Sequence, residues 1–184
     1  MRLVPLFAAA TLLVAPALAA RVMKPAAAVP AAPKNGVRAD LLRDLDDVEK
    51  KIMQLATVMP ASKYSWRPAR GVRSVSEVYM HIAGGNYVAA AAVAGKTPSY
   101  AEQNLEQISD KERVLDELRK SFEQLRGAIL ATTDGDLDKS IRMYGDSSSE
   151  RAALMTALNH LHEHLGQSIA YARMNGVVPP WSAM

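Results

Sequence analysis

The run ERAALMTALNHLHEHLGQSIAYARM, residues 150–174, decides how the rest of the chain is read. Leu154, Leu158, Leu161, Leu165 and Ile169 recur at threes and fours, the period of one face of an α-helix. Asn175-Gly176 follows as a C-terminal cap, and Pro179-Pro180 stops further helix. The run also holds three of the chain's four histidines. His160 and His164 stand four apart and project from one side of the helix, roughly 60–100° round from the leucine seam. They are expected at the margin of the core, facing the groove with a neighbouring helix. His162 lies about 200° round from each and is expected on the solvent side.

Working outward, three more segments carry the same period. Leu41, Leu45, Val48, Ile52, Leu55 and Met59 predict a first helix over Val37 to Met59, ended by Pro60. Val78, Ile82, Gly85 and Val88 predict a second over Val75 to Ala94. Leu115, Leu118, Phe122, Leu125 and Ile129 predict a third over Asp110 to Ala131. Ser74 with Glu77, Ser109 with Glu112, and Ser147 with Glu150 each have capping-box spacing at the start of a periodic run. Gly84-Gly85 costs helix propensity, so packing or a site is expected to need the gap, with a partner backbone approaching there. Residues 61–73 read as a structured loop in which Trp66 packs over one end of the core. Residues 132–149 read as a loop with a short helical turn near Leu137 to Arg142. Four amphipathic helices without a strand signal give an all-α four-helix bundle. Connections of roughly 14–18 residues are long for a plain up-down-up-down path, so at least one is expected to cross the bundle end.

A chain of 184 residues suits one ordinary domain. Residues 1–19 read as a cleaved secretory signal: Arg2, an apolar centre from Leu6 to Leu13, then Ala17-Leu18-Ala19 before Ala20. Residues 20–36, rich in Ala and Pro, read as a flexible tether, and residues 37–184 as the folded domain. The expected address is exported, periplasmic, with no stable membrane span after cleavage. Without cysteine there is no disulfide, thiolate ligand or cysteine nucleophile. A formal charge of +3, of which Arg2 is one unit, is too small to point to nucleic acid; Lys63, Arg67, Arg70 and Arg73 form only a modest basic cluster.

His81, between Val78 and Ile82, has two readings. Alone it is a partly buried histidine satisfied by a polar partner. With His160 and His164 it completes three imidazoles for one divalent transition metal, zinc or nickel rather than calcium or magnesium. Three ligands leave room for water, a thiol or another small molecule. The zinc-protease pattern is absent, because Glu163 directly precedes His164. Glu77, one turn before His81, caps its helix, orients an imidazole or holds a water. Tyr79, Asn86, Arg142 and Tyr144 are candidate pocket residues.

The segment Val78-Tyr79-Met80-His81-Ile82-Ala83, within Val75 to Tyr87, and the pattern His160-x-x-x-His164-x-Gly166-Gln167 resemble the DinB-like family of metal-binding four-helix bundles. The likeness spans roughly residues 37–182. The tail from Ala170 to Trp181 looks like that of a secreted or bacterial subgroup. The resemblance implies an up-down-down-up bundle, commonly a homodimer, with His81, His160 and His164 as metal ligands. It also implies that some relatives are transferases using a low-molecular-weight thiol. Two classes of function stay open: a metal-containing binding or stress-response module, since no further catalytic acid or base can be named, or an enzyme, a metal-dependent hydrolase or thiol-dependent transferase, in which a metal on three imidazoles activates a water or thiol.

Overall fold

A computed structural model describes residues 31–96 and 105–182. The expected signal sequence, residues 1–19, and most of the tether lie outside the described residues. Four helices carry the chain: α1 (Val37–Val58), α2 (Val75–Val93), α3 (Lys111–Ala131) and α4 (Glu150–Met174). Short 3₁₀ turns lie at Ala61–Lys63, Leu105–Gln107 and Pro180–Ser182. The apolar seams read for α1, α3 and α4 lie in the core: Leu45, Val48, Ile52 and Leu55 of α1, Leu118 and Phe122 of α3, and Leu161 of α4 are fully buried, while on α2 Val78 and Ile82 are buried but Val88 is only half-buried. Each such side chain contributes about 1.5–3 kcal/mol by leaving water.

Charged side chains at the helix ends fix the directions. Arg38, in the first turn of α1, donates to the carbonyls of Ile129 and Leu130 in the last turn of α3, at 3.3 and 3.0 Å. Lys111, in the first turn of α3, donates to the Thr57 and Met59 carbonyls at the end of α1, at 2.6 and 2.9 Å. Each cation satisfies carbonyls that a helix C-terminus leaves unpaired, and the two helices therefore run antiparallel. Arg126 bridges Asp46 and Glu49 between these ends. α2 packs on α3 and α4, and α1 packs on the same two. The result is an up-down-down-up bundle. α2 and α3 run in the same direction: Arg73, just before α2, meets Glu106, just before α3, and Asn86 further along α2 meets Ser121 of α3.

Caps differ from expectation at two of the three helix starts. Ser74 and Glu77 form the full capping box on α2, and Glu77 also pairs with Arg67 at 2.8 Å. On α3 the cap is Asp110 rather than Ser109; its carboxylate accepts from the Arg113 amide at 3.1 Å. On α4 it is Ser149, accepting from the Ala152 amide at 3.1 Å, and not Ser147. Ser147 lies inside a strand that the sequence did not announce, and Ser149 is that strand's last residue. Strands β1 (Ser140–Met143) and β2 (Asp146–Ser149) pair antiparallel, with Arg142 opposite Ser147. Of the helical turn expected near Leu137 to Arg142, the first part lies in turns over residues 134–138, and from Ser140 the hairpin stands in its place. Its tip, Tyr144-Gly145, has φ of 54° and 91°, as a two-residue type I′ turn requires. The end of α4 follows expectation: the Gly176 and Val177 amides donate back to the Arg173 and Ala172 carbonyls at 3.0 and 2.9 Å, a Schellman motif with Gly176 at φ 73°. Among the described residues, no helix is long and apolar enough to cross a membrane.

Candidate metal centre

α2 and α4 meet along the histidines. His81 projects from α2 between the buried Val78 and Ile82, and is itself half-buried. His160 and His164 project from adjacent turns of α4, flanking the buried seam of Leu158, Leu161 and Leu165. The rings converge: centroids are 5.0 Å apart for His81–His160, 4.8 Å for His81–His164 and 4.4 Å for His160–His164. One nitrogen from each lies within 4.8 Å of the other two. The Nε2 atoms of His81 and His160 are 3.2 Å apart. Nitrogens around a tetrahedral ion with bonds of about 2.0–2.1 Å stand roughly 3.3 Å apart, so that pair already has the spacing.

Gly85 explains how α4 comes this close. A Cβ at position 85 would sit 2.6 Å from Cε1 and 2.8 Å from Nδ1 of His160. The gap in α2 receives an imidazole and not, as expected, a partner backbone. Gly84 faces open space, so only the second glycine of the pair serves the site.

The far sides of two rings are held. His164 Nδ1 is 2.8 Å from Gln167 Oε1, and Gln167 Nε2 donates to the Tyr171 hydroxyl at 3.1 Å. The Tyr171 hydroxyl donates in turn to the Arg73 carbonyl at 3.1 Å. His81 Nδ1 is 3.4 Å from Glu106 Oε1, which also takes the Arg73 Nε–H at 3.0 Å. Burial, then the neighbouring His164, His81 and Arg73, push the His160 pKa down to about 4. Burial, followed by Arg73 and His164, also lowers that of His81, with Glu106 opposing. Both are therefore neutral near pH 7, with ring lone pairs available as metal ligands.

The remaining candidates lie elsewhere. His162 is exposed and pairs with Asp44 at 2.8 Å. Glu77 caps α2. Trp66 packs edge-on against Tyr171, with centroids 5.5 Å apart. Tyr79 is core, 1% exposed, and Asn86 donates to Ser121 at 3.0 Å inside the bundle. Arg142 and Tyr144 belong to the hairpin, where Tyr144 is 68% exposed. These four do not line the histidine cluster, and their expected pocket roles are corrected. A groove of about 670 Å³ beside Lys96, Lys139 and Arg142 lies at the far end of α2 and contains no histidine. Glu106, Gln167, Tyr171 and Arg73 were not singled out as site residues. Gln167 and Tyr171 carried a signal, since they follow His164 by three and seven on one helix face; Arg73 and Glu106 sit in connections and carried none.

The sequence pattern of the DinB superfamily matches residues 44–168, which include all three histidines. The chain belongs to the DinB superfamily. The DinB-superfamily fold recurs in known crystal structures. A DinB-like protein from Bacillus cereus superposes with a TM-score of 0.67 at 22% identity, over 76% of this chain and 93% of that one. A DinB-like protein from Bacillus subtilis gives 0.62 at 20%, over 74% and 92%. A conserved protein from Enterococcus faecalis gives 0.63 at 16%, over 76% and 96%. Identities this low establish the shared bundle alone. Among curated proteins no match is found.

Proposed function

We propose that this DinB-superfamily bundle is an exported, periplasmic divalent-metal-binding protein with His81, His160 and His164 as its ligands. The observation that supports the reading is the convergence of three imidazole nitrogens within 4.8 Å of one another. The donor set fits the group: the Nδ1 atoms of His81 and His164 face Glu106 and Gln167, which leaves Nε2 as each ring's donor, and that of His81 lies 3.2 Å from His160 Nε2. Metal-bound histidines ordinarily have such partners. Imidazoles alone select zinc or nickel over calcium or magnesium. Such an ion supplies Lewis acidity to a water, thiol or other small-molecule ligand at the position that three donors leave open. Export of the chain and association of two copies belong to the same proposal.

That open position also favours a second reading, a metal-dependent hydrolase or thiol-dependent transferase. The chain's own residues would hold the donors neutral and oriented. A hydrolase turns over with metal alone, a transferase needs metal and thiol, and a binding module shows neither turnover.

The deciding experiment is zinc and nickel titration of the protein purified without a histidine tag. His164→Ala is expected to weaken binding sharply, and His162→Ala to leave it unchanged. Equal affinities for the two variants, or no binding by the parent protein, would overturn the assignment.

A further inference from the structure

Building on the metal-binding reading, we propose that Arg73 is the common anchor that fixes which nitrogen His164 and His81 present to the site. Its backbone acts through Tyr171 and Gln167, and its side chain through Glu106. The first arm follows from what each group can do. A backbone carbonyl only accepts, so the Tyr171 hydroxyl, 3.1 Å from the Arg73 oxygen, must spend its one proton there. The Tyr171 oxygen is then left to accept, and Gln167 meets it with Nε2 at 3.1 Å. That fixes the amide's direction and turns Oε1 to His164 Nδ1 at 2.8 Å. An amide oxygen accepts, so Nδ1 carries the hydrogen and Nε2 of His164 keeps its lone pair.

The starting peptide is itself held on both sides. The carbonyl of Arg73 and the amide of Ser74 belong to one planar unit, and that amide donates to Glu77 Oε2 at 2.7 Å in the capping box. Glu77 thereby orients an imidazole as well as capping its helix, acting at the remote end of the relay. Trp66, edge-on to Tyr171, holds the ring that carries the hydroxyl.

The second arm is shorter. Arg73 Nε donates to Glu106 Oε1 at 3.0 Å, and the same oxygen lies 3.4 Å from His81 Nδ1. A carboxylate accepts only, so this contact also favours hydrogen on Nδ1 and leaves Nε2 facing His160. His160 has no comparable acceptor among the described residues; its ring is placed by contact with Gly85. Arg73, Gln167, Tyr171 and Glu106 are thus positioning residues.

The test reads tautomers in the metal-free, ¹⁵N-labelled protein at about pH 8, where model imidazoles are neutral, and zinc affinity separately. Wild type and Gln167→Glu, which keeps the acceptor, should show Nδ1–H at His164. Tyr171→Phe, which keeps the ring against Trp66, and Gln167→Leu should move His164 toward Nε2–H and weaken zinc about 10-fold or more. Arg73→Met removes only the side-chain arm, so it should disturb His81 and leave His164 as in wild type. Nε2–H at His164 in the wild type, or Tyr171→Phe without effect on the tautomer, would overturn the proposal. The predicted tautomers with no zinc bound by any variant would uphold the relay and sink the metal reading.

Discussion

Gly85→Ala is a one-methyl change aimed at the contact between α2 and α4. The added carbon would stand 2.6 Å from Cε1 and 2.8 Å from Nδ1 of His160. Non-bonded carbons rest at about 3.5–4.0 Å, so the ring must retreat by roughly 1 Å. Ligand positions tolerate only about 0.2 Å, and a misplaced third donor should weaken zinc on the order of 10- to 100-fold. The fold itself should hardly suffer. The atoms displaced are the end of a side chain that can swing, and alanine recovers up to about 1 kcal/mol of helix propensity. Stability of the metal-free protein is therefore expected within about 1 kcal/mol of wild type. Gly84→Ala is the matched control, since nothing lies within 4 Å of its new carbon. It should gain about 0.5–1 kcal/mol and bind zinc as before. Competition titration against a chromophoric chelator, with denaturant unfolding of the metal-free proteins, reads both quantities. Unchanged zinc affinity in Gly85→Ala, or an equal loss in Gly84→Ala, would refute the reasoning.

Two other consequences are open to measurement. Well above about pH 6.5, His81 and His160 are neutral in both the folded and the unfolded chain and contribute no pH dependence. On acidification the unfolded chain protonates first, while His160 resists until about 4. Stability of the metal-free protein should fall as pH drops from about 6.5 toward 4, and His160→Gln should flatten that slope in melting curves. At the hairpin tip, Tyr144 holds φ 54°, a conformation that asparagine adopts more readily. Tyr144→Asn should raise stability by about 0.5–1 kcal/mol, seen as a higher melting temperature with zinc affinity unchanged.

The four helices were legible because each seam repeats a 3.6-residue period over several turns. The core follows the seams of α1 and α3 throughout, whereas on α2 Val88 is only half-buried and the core instead takes in Tyr79, Met80, Ala83 and Tyr87. The facing of His160 and His164, and the separation of His162 from them, came from the same periodicity. The hairpin was obscured because Tyr144-Gly145 lacks the asparagine or aspartate usual at a type I′ turn, and its second strand is mostly serine. That serine run also offered equivalent caps, and only the extent of the strand, whose last pair is Ser149 with Ser140, shows why the helix waits for Ser149. The approach of His81 was one of two readings its residue context left open, and the family likeness favoured it. Its contact with Glu106 and the hub at Arg73 join connections that no local pattern relates, so they became visible only in three dimensions.

The chain has no cysteine, and so no covalent bond ties distant parts of it together. Yet His81 and His160, 79 residues apart, come within 3.2 Å through their Nε2 atoms. An ion seated between them would be a reversible staple across a loop of that length, closing α2 onto α4 as a disulfide does in other proteins. Its strength would follow the free metal concentration of the surroundings and be indifferent to their redox state.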